Sequence, residues 1–226
     1  MAKGKFTKQE LRHDAFSENV AKGYSYLQTN FLKVFLAVVL VAVVVLGTVY
    51  FRQSQMHSSQ EASHLLAQAA TQYNSTSYSE CLLTVEDLIQ RFGSRKEGKT
   101  ALYYAGASHL ALGENEAAIK SFREYLERKP DGFYAHSAQS GLGLALEGAG
   151  QNQEALAQFD ALLKQLKPDD FLYTSTAFAE ARVLEKMGQR EQAITVLLPL
   201  SRSSDFQTKQ EANTKIQVLR AQISNS

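Results

Sequence analysis

The sequence predicts an all-α protein: one N-terminal transmembrane helix, then an α-solenoid of about four helix pairs, closed by a C-terminal capping helix. Three observations carry that expectation. Residues 34–51 form an eighteen-residue, uncharged, apolar run. Beyond it, a pattern of small residues, glycines and bulky apolar residues recurs at spacings of 37 and 38 residues. The rest is rich in Ala, Leu, Gln and Glu, with no Trp and only three Pro, which suits helices and not a turn-rich β-sandwich.

The first element, residues 1–33, is a basic tail. It holds six Lys or Arg (Lys3, Lys5, Lys8, Arg12, Lys22, Lys33) against three acids (Glu10, Asp14, Glu18), a local +3 in a chain of net charge +1. Leu11, Ala15, Val20, Tyr24 and Leu27 recur close to the spacing of a helical turn. Residues 7–29 therefore read either as an amphipathic helix on a membrane surface, with Tyr24 and Tyr26 near the headgroups, or as a disordered basic tail.

The run from Val34 to Phe51 (VFLAVVLVAVVVLGTVYF) follows. At about 1.5 Å per residue it spans roughly 27 Å, near the ~30 Å of a bilayer's hydrocarbon core. A helix at the edge of a soluble core would carry a polar face, and this one has none. A cleaved secretory signal expects a short basic leader and a small-x-small exit. Here the leader has 33 residues and the exit reads Thr48-Val49-Tyr50-Phe51-Arg52, so the expectation is an uncleaved signal anchor. Lys and Arg resist translocation, and the far flank offers Arg52 alone before Arg91. Residues 1–33 are thus expected in the cytoplasm and residues 52–226 outside.

The solenoid elements come from three aligned stretches. They are Leu102/Gly106/Gly113/Ala118/Phe122, then Gly143/Gly150/Ala155/Phe159, then Ala177/Ala181/Gly188/Ala193/Leu197. Repeats start near 99, 136 and 174, and a weaker copy near 62 has Ala69, Cys81 and Val85 in place but Thr76 where the turn glycine belongs. The small residues let two antiparallel helices touch. The glycines end each first helix in the left-handed region, and Pro130 and Pro168 stop second helices. Pro199 falls inside the fourth copy's second helix and is expected to shorten or kink it. Residues 207–223, with Ile216 and Leu219, read as the closing helix that a solenoid needs.

This pattern resembles the tetratricopeptide repeat, over about residues 62–206. It departs in a period longer than the usual ~34 residues and in lacking the first-helix Trp. The whole-chain layout also resembles the YfgM-like family of ancillary translocon subunits. That likeness implies a short cytoplasmic tail, one anchor in the bacterial inner membrane and a periplasmic repeat domain. It further implies partners among SecYEG translocon subunits, periplasmic chaperones or unfolded clients. The repeat resemblance places on the concave groove Thr100, Tyr103, Ala107 and Leu110, then Ser137, Ser140, Leu144 and Glu147, then Ser175, Phe178, Arg182 and Glu185. Tyr103, Leu110, Leu144 and Phe178 would form an apolar strip with the cation Arg182. Repeats that grip acidic tails want Lys and Asn where this chain has Tyr103 and Ala107, which disfavours that ligand.

Nothing in the sequence builds a catalytic centre, and no enzyme, cofactor or small-molecule substrate is expected. The five histidines are scattered, and His57 and His64 find no cysteine or acid pair to complete a metal site. Gly141-Leu142-Gly143 lies in a helix pattern and not after a strand, so it is no phosphate loop. Asp169-Asp170 reads as a helix N-cap. The single cysteine, Cys81, allows no internal disulfide and reads as a small core residue. A net charge of +1 argues against nucleic acid. The expected function is a membrane-anchored protein–protein interaction module at the export site, holding lipid through residues 34–51. The alternative is a structural scaffold subunit of an envelope machine for secretion, pilus or division assembly.

Overall fold

The computed structural model describes residues 19–25, 27–128 and 134–225. Leu11, Ala15, Tyr26 and Pro130, named above, lie outside the described residues. The chain divides into two compact units, Met1–Ser59 and Gln60–Ser226. In the first, residues 19–25 and 27–29 are helical (α1) and expose Val20, Tyr24 and Leu27. Helix α2, Phe31–Asn74, begins there, and none of residues 34–51 is buried. By length and composition α2 can cross a membrane.

The second unit is a stack of antiparallel helix pairs. The C-terminal part of α2 pairs with α3 (Tyr78–Phe92), α4 (Lys96–Ala111) with α5 (Asn115–Glu127), and α6 (Ala135–Gly148) with α7 (Asn152–Leu163). The fourth pair is α8 (Phe171–Lys186) with α9 (Arg190–Leu197). A 3-10 turn, Leu200–Arg202, leads to α10 (Phe206–Ser224). Among the described residues there is no strand. Glu80, Glu97, Glu116, Glu154 and Glu191 sit in first turns, where the helix dipole favours an anion.

The turns inside the pairs share one geometry. Gly113, Gly150 and Gly188 have φ of +77°, +77° and +76°. After each, an amide reaches back five residues: Glu114 to His109, Gln151 to Leu146 and Gln189 to Leu184, at 2.8–2.9 Å. These bonds satisfy carbonyls that a helix end leaves orphaned. The first pair closes the same way, with Ser77 donating to Gln72 at 2.9 Å, but Thr76 occupies the left-handed position at φ +61°. The helix-pair geometry thus overrides a β-branched side chain's aversion to positive φ.

Close helix contact follows the small residues. The Cys81 thiol donates to the Ala69 carbonyl at 3.3 Å, and both residues are fully buried. Ala118, Ala155 and Ala193 stand at the equivalent places and are also fully buried. Successive pairs join by a wedge. The Phe122 ring lies between Gly106 of its own pair and Gly141 of the next, so close that a Cβ would meet it at 2.7 Å and 2.5 Å. Phe159 packs on Gly143 in the same way. Where the wedge is the smaller Val85, the facing helix carries Tyr104 in place of a glycine, in one buried cluster.

Pro199 shortens α9 to eight residues, and Leu200 in the following turn is buried. Helix α10 buries Ala212, Ile216 and Leu219, half-buries Thr208, Lys215, Gln222 and Ile223, and exposes its remaining side chains. Its N-cap is Asp205, whose carboxylate accepts from the Thr208 amide at 2.7 Å, and that bond holds its pKa below the usual range. Asp170 does precede α8, but its carboxylate accepts from the Lys167 amide at 2.6 Å and caps the turn instead of the helix.

Candidate functional site

The first helices of successive pairs touch one another, α4 with α6 and α6 with α8, and make the inner face of the stack. Tyr103, Leu110 and Leu144 are half-buried around the largest core cluster, whereas Phe178 belongs to the C-terminal one. Tyr103 is part of an aromatic assembly. Its ring stacks on Tyr134 at 4.5 Å between centroids and lies 5.3 Å from Tyr104, 6.0 Å from Tyr125 and 6.2 Å from Phe122. The Tyr104 and Tyr134 hydroxyls lie 3.1 Å apart. Burial pushes the Tyr103 and Tyr104 hydroxyls above the ordinary tyrosine range, so they stay protonated and serve as packing groups with polar tips.

Phe178 and Arg182 line a cavity of about 200 Å³ with Ala181 of α8 and Glu211 and Lys215 of α10. Arg182 is tied down. Its Nε donates to Glu147 Oε1 at 2.6 Å and its Nη2 to Oε2 at 2.5 Å, while Lys186 Nζ donates to Oε1 at 2.7 Å. Glu147 is 7 % exposed. Burial alone would raise its pKa, but the hydrogen bonds from Arg182 and Lys186 outweigh it and hold the carboxyl below the ordinary range. Glu185, one repeat on, binds Lys215 of α10 at 2.6 Å. Acid–cation ties thus fasten α6 to α8 and α8 to α10, and Ser63 donates to Glu97 between α2 and α4 at 3.3 Å.

The second helices form the other face, which sequence reasoning left unexplored. Between α3 and α5, over α4, runs a groove of about 620 Å³ lined by Leu82, Ile89, Leu102 and Lys120 among others. Between α7 and α9, over α8, runs one of about 420 Å³. At the junction between them, Arg123 of α5 pairs with Glu154 of α7 at 2.7 Å. Among the described residues, no group of three or more His, Cys, Asp or Glu could hold a metal ion.

The family model described as a tetratricopeptide repeat-like domain matches residues 25–195. No curated protein matches the chain. Among solved structures, the chain is similar to YrrB, described as a TPR protein with an unusual peptide-binding site: TM-score 0.58, 16 % identity, covering 71 % of this chain and 77 % of that one. It is also similar to a putative kinesin light chain with nearly identical TPR-like repeats from Podosopora anserina (TM-score 0.54, 13 % identity, 72 % and 96 % covered). A thermophilic TPR protein of Thermus thermophilus gives TM-score 0.50 at 18 % identity, with 72 % and 82 % covered. At such identities these likenesses speak to the fold.

Proposed function

The chain belongs to the tetratricopeptide repeat-like domain family, and from that premise we propose a membrane-anchored interaction module whose repeat domain faces the bacterial periplasm. A non-catalytic protein-binding role is what this repeat fold typically serves. The observation that carries the finer reading is the extent of the family match. It begins at residue 25, ahead of the apolar run, and continues into the fourth helix pair, so the matched span takes in the apolar helix together with the repeats. That helix buries none of residues 34–51, and the bilayer is the phase that would cover them. The basic residues before it orient the N-terminus to the cytoplasm.

The partners that suit this placement are subunits of the export translocon, periplasmic chaperones and emerging unfolded clients. Tethering raises the local concentration of the module near other membrane proteins, so modest intrinsic affinity suffices. Tyr103, Leu110, Leu144, Phe178 and Arg182 form the recognition strip. The Tyr103 ring is held by four aromatic neighbours and is preorganised, which lowers the entropy cost of binding.

Photo-crosslinkers at Leu144, Phe178 and Val41 in the full chain in its native membrane test this. Crosslinks from Leu144 and Phe178 to export-channel subunits or chaperones are expected. Partners captured only from Val41 would move recognition into the bilayer, and pilus, secretion or division subunits would favour the scaffold alternative. A C-terminal alkaline-phosphatase fusion should be active; an inactive one would reverse the orientation.

A further inference from the structure

The junctions on the outer face differ in single residues at equivalent places. At the middle junction, Arg123 and Glu154 strap α5 to α7. The equivalent places hold Glu86 and Ala117 at the first junction and Asp160 and Gln192 at the last. Neither of those pairs can form an ion pair, and both flanking grooves are open.

The groove between α7 and α9 has an unusual floor. Where the second and third repeats place Ala105 and Leu142, the fourth places Glu180. Glu180 is only 6 % exposed, and its Oε2 has no hydrogen-bond partner. A buried carboxyl left unpaired is costly, so it is seldom kept by packing alone. The groove walls supply Leu156, Leu184 and Val196, while Gln153, Gln192 and Thr195 make a polar rim. Of the charged groups nearby, Asp160 of α7 and Lys164, the residue that follows its last turn, pair with each other at 2.6 Å; the α9 residues in the lining are uncharged. An apolar channel ending at an unpaired acid matches a long aliphatic stem ending in a cation.

We propose that the groove between α7 and α9 receives a lysine or arginine side chain of a partner protein, with Glu180 as its counter-ion and Asp160 at its mouth. The reading rests on the chain's being an interaction module but not on the inner strip, so its failure would leave crosslinking from Leu144 and Phe178 unaffected. Burial first, and then the charge of Asp160, raise the Glu180 carboxyl to about 7. An entering cation would favour the ionised form and reverse that shift.

The test uses the full chain in lipid nanodiscs with carboxyl-labelled glutamate, the Glu180 signal being assigned through Glu180→Gln. The probe is Nα-acetyl-lysine methylamide at tens of millimolar, against its norleucine counterpart, which has the stem without the charge. The lysine probe should lower the Glu180 midpoint by about one unit or more, and the norleucine probe should leave it in place. Glu180→Ala installs the residue that Ala105 already provides in the groove between α3 and α5, so its helical circular dichroism should persist while the chemical-shift changes that the lysine probe causes at Leu156 and Val196 vanish. A Glu180 midpoint that moves no more than those of exposed Glu191 and Glu211 would overturn the proposal and leave a protonated core residue. An equal shift with magnesium chloride of the same ionic strength would overturn it too, making the groove a general cation seat.

Discussion

The wedge at Phe122 makes the sharpest test of how these repeats stack. Gly141 lies inside α6, where Ala is intrinsically better by up to ~1 kcal/mol. A methyl group there would stand 2.5 Å from Phe122 Cζ and 2.8 Å from Cε2. The ring has little room to retreat, because on its other side it lies against Gly106, so closely that a Cβ built on that glycine would stand 2.7 Å from Cδ1. Reaching ordinary contact requires α6 or the ring to yield by about 0.9 Å against a close-packed neighbour, and overpacking of this kind costs about 1–3 kcal/mol. Gly141→Ala should therefore be destabilising by about 1 kcal/mol net. Gly148→Ala is the control: its methyl would meet the end of the flexible Asn115 side chain at 2.5 Å, which can swing aside. That variant should be neutral or slightly stabilised. In a Phe122→Leu background the cost of Gly141→Ala should nearly vanish, a coupling of about 1 kcal/mol or more. Urea unfolding of the full chain in detergent micelles, followed by far-ultraviolet circular dichroism, reads all four variants. Equal stabilisation by the two alanines, or no coupling to Phe122→Leu, would refute the wedge.

Two further predictions concern single residues. Thr76→Gly should raise the unfolding midpoint, since a β-branched residue at φ +61° stores about 1 kcal/mol that glycine does not; an unchanged midpoint would mean that the turn carries no strain. Glu147 has a folded pKa below its ordinary value of 4.5. Its contribution to stability is therefore complete above that value and is lost as pH falls through the folded pKa. Glu147→Gln should lower the melting temperature at neutral pH and flatten its decline on acidification, and an acid limb as steep as the parent's would show that other carboxylates set it.

Much of this architecture was legible because it repeats. Turn glycines at Gly113, Gly150 and Gly188, small residues at Ala118, Ala155 and Ala193, and wedges at Phe122 and Phe159 recur at fixed offsets, and a periodic pattern survives uncertainty about any one residue. The candidate site was less legible, since a groove position says that a side chain faces inward but not what it touches. Tyr103 was readable as an inner-face aromatic. Its stacking on Tyr134, the residue just ahead of α6, is a contact that no repeat spacing encodes. Arg182 read as a lone cation, yet it completes a cluster with Lys186 around Glu147, 35 residues away in sequence. The outer-face strap was hidden for the same reason: the Arg123–Glu154 pair stands out only when copies are superposed and it is compared with Glu86–Ala117 and Asp160–Gln192.

The departures from the repeat carry the chemistry, and the junction of the third and fourth repeats gathers two of them. Glu147 faces inward and stands where the second repeat has Leu110; Glu180 faces outward and stands where the second has Ala105. Both carboxyls are nearly inaccessible, at 7 % and 6 % exposure, so burial penalises both ionised forms. Their fates diverge through neighbours. Glu147 receives three hydrogen bonds from Arg182 and Lys186 and stays ionised, which makes it a fastener between α6 and α8. Glu180 has an unpartnered Oε2, feels the charge of Asp160 more than that of Lys164, and is raised to about 7. A saturated acid can hold two helices together but has nothing left to offer a partner, whereas an unsaturated one weakens its own domain until a cation arrives. The same substitution type thus divides one junction into a structural face and a receptive face. Glu147→Gln should consequently lower stability with no effect on amine binding in the outer groove, and Glu180→Ala should abolish that binding without loss of stability at neutral pH. A Glu180→Ala variant less stable than the parent at neutral pH, measured by the same urea unfolding, would show that the carboxyl is a packing element and that this division is wrong.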